Sequence, residues 1–277
     1  MGHILRRTLA FILAICTTLT TFDARLCAET TSNQVVHRAT YPVLTEGDNS
    51  PAVLTLHEML ADLGYLPVEF HPITKVESYF GPSLDSPAAG TWSWRFHVVP
   101  DPLRQLWDPT MYTEMTKAAV MTFEREHDLP IDGFAGPRVF RGLQTAIAVN
   151  LRCQHAYTYL LVRQALPQTL TVWQDGRIVY TSTCSTGVKD AATHVGTHVI
   201  YLRNRQQKME GTTPSGAHYR VEGVPYVSFF RKGEAIHGLT RARYGFPQSV
   251  GCVELPIENA KRVWELTDYG TLVTVTQ

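Results

Sequence analysis

Hydrophobic residues in the first half of the chain recur at the three- and four-residue spacing of helices. One set ends at Gly64, a second occupies residues 110–127, and a third follows Pro137. The three sets are Val53, Leu56, Leu60 and Leu63; Ala119, Val120 and Phe123; and Val139, Leu143 and Ile147. Because each set lies on one helix face, the spacing predicts three helices that pack together in a small N-terminal domain, residues 50–149.

From Tyr157 onward, short hydrophobic runs are separated by Gly, Asp and Asn, which is typical of strands and turns. The predicted strands are 156–163, 169–174, 177–182, 197–202, 224–229 and 271–276. Asp175-Gly176 between two alternating runs indicates a hairpin, and residues 257–266 predict a helix. Residues 150–277 are therefore predicted to form a mostly antiparallel β-sandwich-like domain with one C-terminal helix. The whole chain is expected to be an α+β multidomain protein.

A segment rich in proline and aromatic residues, 67–107, is inserted in the predicted helical domain. Trp92, Trp94 and Phe96 alternate within it, which predicts a strand or hairpin with one aromatic face. Aromatic faces bind sugars in some proteins, but packing in a core or between domains is the more common use of such side chains. We expect packing here.

The first 28 residues have the pattern of a secretory signal peptide. Arg6 and Arg7 precede the hydrophobic run 9–16, which is too short to span a bilayer, and cleavage is predicted near Ala28. A polar leader follows over residues 29–49. We therefore expect an exported protein of the cell envelope, in the cell wall or periplasm, without a membrane span after cleavage.

The charge balance argues against nucleic acid as a partner. The chain has 25 basic and 25 acidic residues, and removal of residues 1–28 takes away three arginines and one aspartate, which leaves 22 against 24. Such a chain lacks the basic field that binds a phosphate backbone. The 11 histidines show no metal-ligand spacing with cysteine or glutamate. We expect neither a metal nor another cofactor.

Three cysteines remain after cleavage, an odd number for an oxidising compartment. Cys153 and Cys184 are either a disulfide or two buried thiols, and Cys252 is then left free. Cys252 follows Gly251 and lies fifteen residues after His237. A thiol becomes a nucleophile when a base takes its proton, so this pair predicts nucleophilic catalysis. The glycine removes side-chain bulk beside the sulfur, and nearby backbone N–H groups are candidates for an oxyanion hole.

The surrounding residues resemble the catalytic motif of the YkuD-type L,D-transpeptidases over roughly residues 157–277. In that family a His-Gly precedes a Ser-x-Gly-Cys, which matches His237-Gly238 and Ser249-Val250-Gly251-Cys252. Ser185-Thr186-Gly187 and Thr193-His194-Val195-Gly196 are similar to two further elements of the family. The resemblance identifies residues 150–277 as an L,D-transpeptidase catalytic domain.

The resemblance implies a role for each residue of the motif. Cys252 is the nucleophile, His237 is its base, and Gly238 orients the histidine through the backbone carbonyl. Gly251 gives a backbone N–H to the oxyanion hole. Ser249 donates its hydroxyl to the thiolate or the oxyanion, or else it only caps a turn.

Two positions depart from the family pattern. His194 stands where proline is usual, and Glu254 stands where arginine or asparagine is usual. A carboxylate two residues from the nucleophile disfavours the thiolate, unless it is turned away or paired with a cation such as Arg241 or Arg243. The candidate substrate-binding residues are Tyr219, Tyr226 and Glu254. For both tyrosines, ordinary packing in a sheet is the alternative.

Residues 50–149 resemble a three-helix peptidoglycan-binding domain. The similarity rests on Leu63-Gly64-Tyr65-Leu66, on a Phe-x-x-x-His-x-Leu pattern at 123–129, and on an Asp-Gly-x-x-Gly pattern at 132–136. It fails in the insert 67–107, where the family has a much shorter connection. The implied role of this domain is to hold the protein on peptidoglycan.

Together the two resemblances imply a cysteine-dependent L,D-transpeptidase that forms 3→3 peptidoglycan crosslinks through a thioester. The implied donor is a tetrapeptide stem, the acceptor is a diamino-acid amine, and the implied inhibitors are carbapenems. Two alternatives stay open: an L,D-carboxypeptidase, in which water replaces the acceptor, and an inactive peptidoglycan-binding protein. A papain-like peptidase is disfavoured, because its cysteine lies far before its histidine, the reverse of the order here.

Overall fold

The computed structural model describes residues 41–73, 84 and 86–277. These residues fall in one compact unit of the chain. The expected signal peptide, 1–28, and the leader residues 29–40 lie outside the described residues, so both stay predictions. Within the described part of the chain, no helix is long and hydrophobic enough to cross a membrane.

The three predicted helices of the first half are present. The described helices are α1 (Pro51–Asp62), α2 (Asp101–Arg104), α3 (Glu114–Glu126), α4 (Pro137–Ala148) and α5 (Ile257–Leu266). α1 and α4 begin with proline, whose fixed φ suits a first helical turn. α3 begins later than its predicted start at residue 110, because Thr113 and Thr116 form a reciprocal capping box that sets the first turn. α2 is a short helix that the sequence pattern did not predict.

The buried faces of α1, α3 and α4 meet in one hydrophobic core. Leu44, from the end of the predicted leader, is buried in this core and pairs with Ala135 through two backbone hydrogen bonds of 3.1 and 2.9 Å. Residues 41–49 are therefore attached to the helices.

The aromatic insert contains the predicted hairpin. β1 (Val68–Pro72) pairs antiparallel with β2 (Gly90–Trp94). Trp92 packs against Phe70 and Trp107, with ring centroids 4.8 and 5.1 Å apart. Residues 74–83 and 85 of the insert lie outside the described part. The aromatic side chains that are described pack against the helical core, as the sequence analysis expected.

A five-stranded sheet has the order β5-β4-β3-β11-β6. Its strands are β3 (Thr158–Arg163), β4 (Thr169–Gln174), β5 (Arg177–Thr183), β6 (Gly196–Val199) and β11 (Leu272–Thr276). Neighbours are antiparallel except for β11 and β3. The predicted hairpin between β4 and β5 is confirmed, and both turn residues, Asp175 and Gly176, have positive φ as such a tight turn requires.

A four-stranded sheet has the order β10-β9-β8-β7. Its strands are β7 (Leu202–Thr212), β8 (His218–Arg231), β9 (Glu234–Gly238) and β10 (Val253–Leu255). Two strand predictions were wrong in extent: the strand predicted at 197–202 ends at Val199, and 224–229 is only the inner part of β8. β7 and the outer part of β8 were missed because they are polar on both faces, so no alternation marks them.

The two sheets pack around a second hydrophobic core. Leu160 of β3 and Val275 of β11 belong to the same buried cluster as Ile236 of β9 and Val253 of β10. α5 packs on β8 and β9 and adds Ala260 to this core. The structure thus confirms the mostly antiparallel sandwich with a C-terminal helix and the α+β class.

The helical part packs on the five-stranded sheet. Tyr159 and Trp173 of that sheet belong to the hydrophobic cluster of the helices, and Phe96 packs edge-on against Trp173 at 5.3 Å. At Gly270 the sheet meets α3 so closely that an added Cβ would lie 2.6 Å from the carbonyl oxygen of Ala118. A continuous core therefore crosses the predicted domain boundary at residues 149–150, and the boundary itself stays a prediction.

Candidate active site

His237 lies on β9, and Cys252 directly precedes the neighbouring strand β10 of the four-stranded sheet. β10 runs parallel to β9, with Glu254 opposite His237 and Val253 opposite Ile236. Cys252 packs against a small hydrophobic cluster that contains Ala235 of β9. Because side chains alternate along a strand, Ala235 and His237 share a face of β9, and Cys252 lies on that face. Val253 and Ile236 point into the core on the other face. The parallel pairing therefore brings the predicted nucleophile and its predicted base to one face of the sheet.

The ring of His237 is buried and oriented by its neighbour. The residue is 3% exposed, and Nδ1 lies 3.2 Å from the carbonyl oxygen of Gly238. A carbonyl can only accept, so Nδ1 carries the proton and Nε2 carries the free lone pair. Burial lowers the pKa of His237, more than the Gly238 carbonyl and the Glu254 carboxylate raise it. The imidazole is therefore neutral near pH 7 and available as a base.

The Cys252 thiol is protonated at rest. Burial raises the pKa of Cys252 to about 11; a backbone hydrogen bond from Ala235 opposes this, and the carboxylates of Glu254 and Glu234 add to it. Sγ lies 3.8 Å from the carbonyl oxygen of Gly233, to which the thiol donates a weak hydrogen bond. Such a thiol is not ionised at neutral pH, so attack requires a base that removes its proton.

Gly251 allows the tight turn that precedes the nucleophile. Its φ is +104°, a backbone conformation that residues other than glycine rarely adopt. Its carbonyl oxygen accepts the hydroxyl of Thr193 at 2.9 Å, and the same hydroxyl oxygen accepts the N–H of Gly187 at 2.9 Å. The Ser-Thr-Gly and Thr-His-Val-Gly elements therefore meet at this turn. The sequence pattern did not predict this role for Thr193.

Ser249 closes the same turn from within. It is buried, and its Oγ donates to the carbonyl oxygen of Cys252 at 2.5 Å. Its backbone N–H donates to Thr186 at 3.0 Å, and its carbonyl accepts from Val188 at 3.0 Å. The hydroxyl is thus engaged in the turn, which was the alternative to a contact with the thiolate. A direct catalytic role for Ser249 stays a prediction.

Glu254 is paired with Arg241, one of the two cations considered from the sequence. Arg241 donates from Nε and Nη2 to the two carboxylate oxygens at 2.7 and 2.8 Å. Arg243 instead lies over the ring of Phe246, 5.9 Å from its centroid. The backbone of Glu254 also exchanges two hydrogen bonds with Ser185, of 2.8 and 2.9 Å. The charge beside the nucleophile is therefore neutralised and fixed in place.

Glu234, the first residue of β9, is a buried acid that the sequence pattern did not indicate as a site residue. It accepts the backbone N–H of His194 at 3.1 Å, contacts Nδ1 of the same residue, and pairs with Arg231 at 2.9 Å. An added Cβ at Gly251 would lie 3.6 Å from its Cγ, so the acid lies beside the nucleophile's turn. His194, where the family has proline, thus gives Glu234 a partner. The signal in the sequence that could have indicated Glu234 is an acidic residue at the start of a hydrophobic run.

The two candidate tyrosines of β8 have different surroundings. Partial burial raises the pKa of Tyr219, and Cys252 and Glu254 raise it further. Its hydroxyl lies against Gly211 of β7. Tyr226 packs on Trp264 of α5, with ring centroids 6.4 Å apart. The structure thus places Tyr219 against β7 and Tyr226 against α5. Substrate contacts by either tyrosine stay predictions.

The other two cysteines are free thiols. Cys153 is half-buried and Cys184 is buried, so the structure has the two-thiol arrangement and not the disulfide. In residues 41–73, 84 and 86–277, no group of three His, Cys, Asp or Glu side chains is placed to hold a metal ion.

The fold and the site define a β-sandwich domain with a histidine on one strand and a cysteine directly before the adjacent parallel strand. The sequence model of the YkuD family, described as the L,D-transpeptidase catalytic domain, matches residues 157–275. The match covers less than half of the chain. No curated protein matches the chain.

Solved structures of L,D-transpeptidases are similar to part of the chain. The catalytic domain from Enterococcus faecium is 22% identical, with 43% of this chain and 96% of that chain covered and a TM-score of 0.40. L,D-transpeptidase 3 from Mycobacterium tuberculosis, in complex with a faropenem-derived adduct, is 21% identical, with 44% and 61% covered and a TM-score of 0.40.

An L,D-transpeptidase from Mycobacterium smegmatis is 20% identical, with 44% of this chain and 59% of that chain covered and a TM-score of 0.39. The chain spans between about half and three fifths of the length of the longer L,D-transpeptidase structures that it matches.

Proposed function

We propose that this protein is a cysteine-dependent L,D-transpeptidase that forms 3→3 crosslinks in peptidoglycan. The observation that carries the proposal is that Cys252, directly before β10, and His237, on the adjacent parallel strand β9, lie on the same side of the sheet, with Nδ1 of His237 held by the Gly238 carbonyl. This hydrogen bond leaves Nε2 as the base for a thiol that is protonated at rest. The match of residues 157–275 to the sequence model of the L,D-transpeptidase catalytic domain supports the same chemistry.

Acylation of the enzyme is the first half of the reaction. Nε2 of His237 takes the proton of Cys252 as Sγ attacks the carbonyl carbon of the third residue of a tetrapeptide stem. The C–S bond forms, and the C–N bond to the terminal D-residue breaks. The imidazolium returns the proton to the leaving amine, so the thioester forms with a neutral imidazole. Backbone N–H groups of Gly251 and Cys252 stabilise the oxyanion of the intermediate.

Transfer to an amine completes the cycle. The side-chain amine of a diamino acid on a neighbouring stem attacks the thioester and loses a proton to His237. A new C–N bond forms, the C–S bond breaks, and Cys252 regains its proton. The reaction needs no cofactor, because the histidine moves every proton and the released D-residue balances the new amide bond.

Residues 50–149 are proposed to hold the enzyme on peptidoglycan, in keeping with their resemblance to a three-helix binding domain. Binding to the polymer raises the local concentration of stems without changing the chemistry. The predicted signal peptide, 1–28, is proposed to direct the protein to the cell envelope, where this substrate lies.

The test is mass spectrometry of muropeptides after incubation of the protein with a disaccharide-tetrapeptide. We expect a dimer joined between third-position residues, absent with Cys252→Ala and present with the matched variant Cys153→Ala. A disaccharide-tripeptide alone would identify an L,D-carboxypeptidase instead.

A separate measurement isolates the nucleophile from the acceptor. Incubation with a carbapenem is expected to add the mass of one inhibitor to the wild type and to Cys153→Ala but not to Cys252→Ala. If the folded, reduced wild type forms no adduct and leaves the tetrapeptide unchanged, the protein binds peptidoglycan without turnover and the proposal is wrong.

A further inference from the structure

The ion pair beside the nucleophile is built as a rigid unit. Glu254 is 4% exposed, and both of its oxygens accept from one guanidinium. The backbone N–H of Arg241 donates to the hydroxyl of Tyr244 at 3.1 Å, and that hydroxyl donates to the carbonyl of Leu239. Hydrogen bonds therefore hold both the backbone and the side chain of Arg241, in the loop that follows His237. A guanidinium held in this way loses little conformational freedom when it binds a further anion.

Arg241 retains donors that Glu254 does not use. A guanidinium has five N–H donors, and the bidentate pair employs one on Nε and one on Nη2. One donor of Nη1 and the second donor of Nη2 form the end of the guanidinium plane, a fork that matches a second carboxylate. The side chain is 33% exposed, so solvent reaches it. In the described part of the chain, no second acidic side chain forms an ion pair with Arg241.

The position of Arg241 relative to His237 indicates which part of a substrate meets this edge. Glu254 lies opposite His237 in the parallel pairing of β9 and β10, and Arg241 binds both carboxylate oxygens of Glu254, so the guanidinium lies on the histidine side of the reacting pair. The histidine protonates the leaving amine in the proposed reaction. The α-carboxylate of the leaving residue is two bonds from that nitrogen, so it lies on the same side.

We propose that Arg241, oriented by Glu254, is a specificity-determining residue that binds a carboxylate of the donor stem. The inference rests on the proposed transpeptidase function and deepens it. Two carboxylates of a stem have the required chemistry: the α-carboxylate of the leaving D-residue, which the side of the histidine favours, and the side-chain carboxylate of a diamino-dicarboxylic third residue. Glu254 fixes the guanidinium and does not contact the substrate, so it is a positioning residue.

The test compares three donors with the full-length protein. The first is a disaccharide-tetrapeptide with both carboxylates free, the second has its C-terminal carboxylate converted to an amide, and the third has only the side-chain carboxylate of its third residue amidated. We expect the wild type to show a kcat/KM roughly 10- to 100-fold higher for the free acid than for one of the amides. The amide that reacts slowly identifies which carboxylate is bound.

Variants then assign the discrimination to Arg241. In the double variant Arg241→Met/Glu254→Gln, which removes both charges together, we expect the ratio of free acid to amide to fall to about 1. Arg241→Lys keeps the charge that faces Glu254 but loses the paired donors of the guanidinium. In this variant we expect an intermediate ratio of free acid to amide. The matched control is Arg243→Met in the same loop, which should keep the wild-type ratio. Because each ratio is internal to one protein, partial loss of folded enzyme does not change it.

The possible results separate this inference from the proposed function. If the wild type turns over all three donors equally, or if the double variant or Arg241→Lys keeps the full wild-type ratio, Arg241 does not read a carboxylate and the inference is wrong. If the wild type turns over none of the donors, the proposed function fails first.

Discussion

The inner and outer parts of the four-stranded sheet differ in how their polar groups are satisfied. In the inner part, every residue of β9 and β10 is buried. In the outer hairpin, which we define as residues 205–223 of β7, β8 and their connection, no residue is buried. Of the proposed catalytic pair, His237 lies in the inner part and Cys252 directly precedes β10; the two parts share the continuous strand β8.

Charged side chains illustrate the difference. In the inner part, Glu254 has both oxygens held by Arg241. In the outer hairpin, Arg220 pairs with Glu222 at 2.6 Å, but both side chains are more than half exposed. Water competes for the outer pair, whereas it does not reach the inner carboxylate. One sheet therefore combines a preorganised site with a solvated extension, and substitutions in the two parts should have very different effects.

The largest effect is expected from His237→Gln, in the inner part. Loss of the base should lower the rate of carbapenem acylation at pH 7 by roughly 10²- to 10⁴-fold, because the protonated thiol then has no acceptor for its proton. The measurement is the rate of adduct formation by mass spectrometry between pH 4 and pH 10.

The pH profile tests the assignment of the base independently. Burial lowers the pKa of His237 below the usual 6.5, so wild-type acylation should decline only as the pH falls below that value. In His237→Gln the rate should instead rise about tenfold per pH unit toward the thiol pKa of about 11. An unchanged acid limb of the acylation rate in the variant would show that another group is the base.

The neutral histidine also contributes to folding stability. This contribution is present above pH 6.5 and is lost as the pH falls through the lowered pKa.

The sequence predicted the parts of the fold in which hydrophobic pattern and burial agree. β4 and α5 have the predicted bounds, because each has a clear buried face and an abrupt end. β7 was missed because its eleven residues are largely polar and solvated, so only pairing with β8 makes it a strand. Tertiary pairing rather than local pattern determines such an element.

The site was predictable to the extent that it depends on residue identity. Cys252 and His237 followed from a motif, but their common face depends on the parallel register of β9 and β10, which no local pattern encodes. The sequence allowed either Arg241 or Arg243 as a partner of Glu254, and only the path of the loop selects Arg241. Glu234 was missed because its partners, His194 and Arg231, come from separate elements.

A smaller effect is expected from Arg241→Met, which leaves Glu254 buried without its partner. We expect a loss of about 3 kcal/mol of unfolding free energy, at the lower end for a broken buried pair because the arginine is partly exposed. Arg241→Met/Glu254→Gln should recover part of the loss, since no lone charge remains. The measurement is urea unfolding, with Arg220→Met in the outer hairpin as the matched control. An equal loss in the control would remove the distinction between the two parts of the sheet.

The smallest effects, and the closest comparison, come from one substitution at two glycines. Gly251→Ala forces a Cβ onto a residue with φ of +104° in the nucleophile's turn, so we expect a loss of about 1–3 kcal/mol of stability and slower acylation.

At Gly211, in the outer hairpin, an added Cβ would lie 2.8 Å from the hydroxyl of Tyr219. That distance is shorter than any at Gly251. The partly exposed tyrosine ring can move aside, however, so Gly211→Ala should change stability by no more than about 0.5 kcal/mol. Urea unfolding and the acylation rate of both variants check this order. If Gly211→Ala slows acylation as much as Gly251→Ala does, the position of Tyr219 matters to the nucleophile, and the outer hairpin belongs to the site.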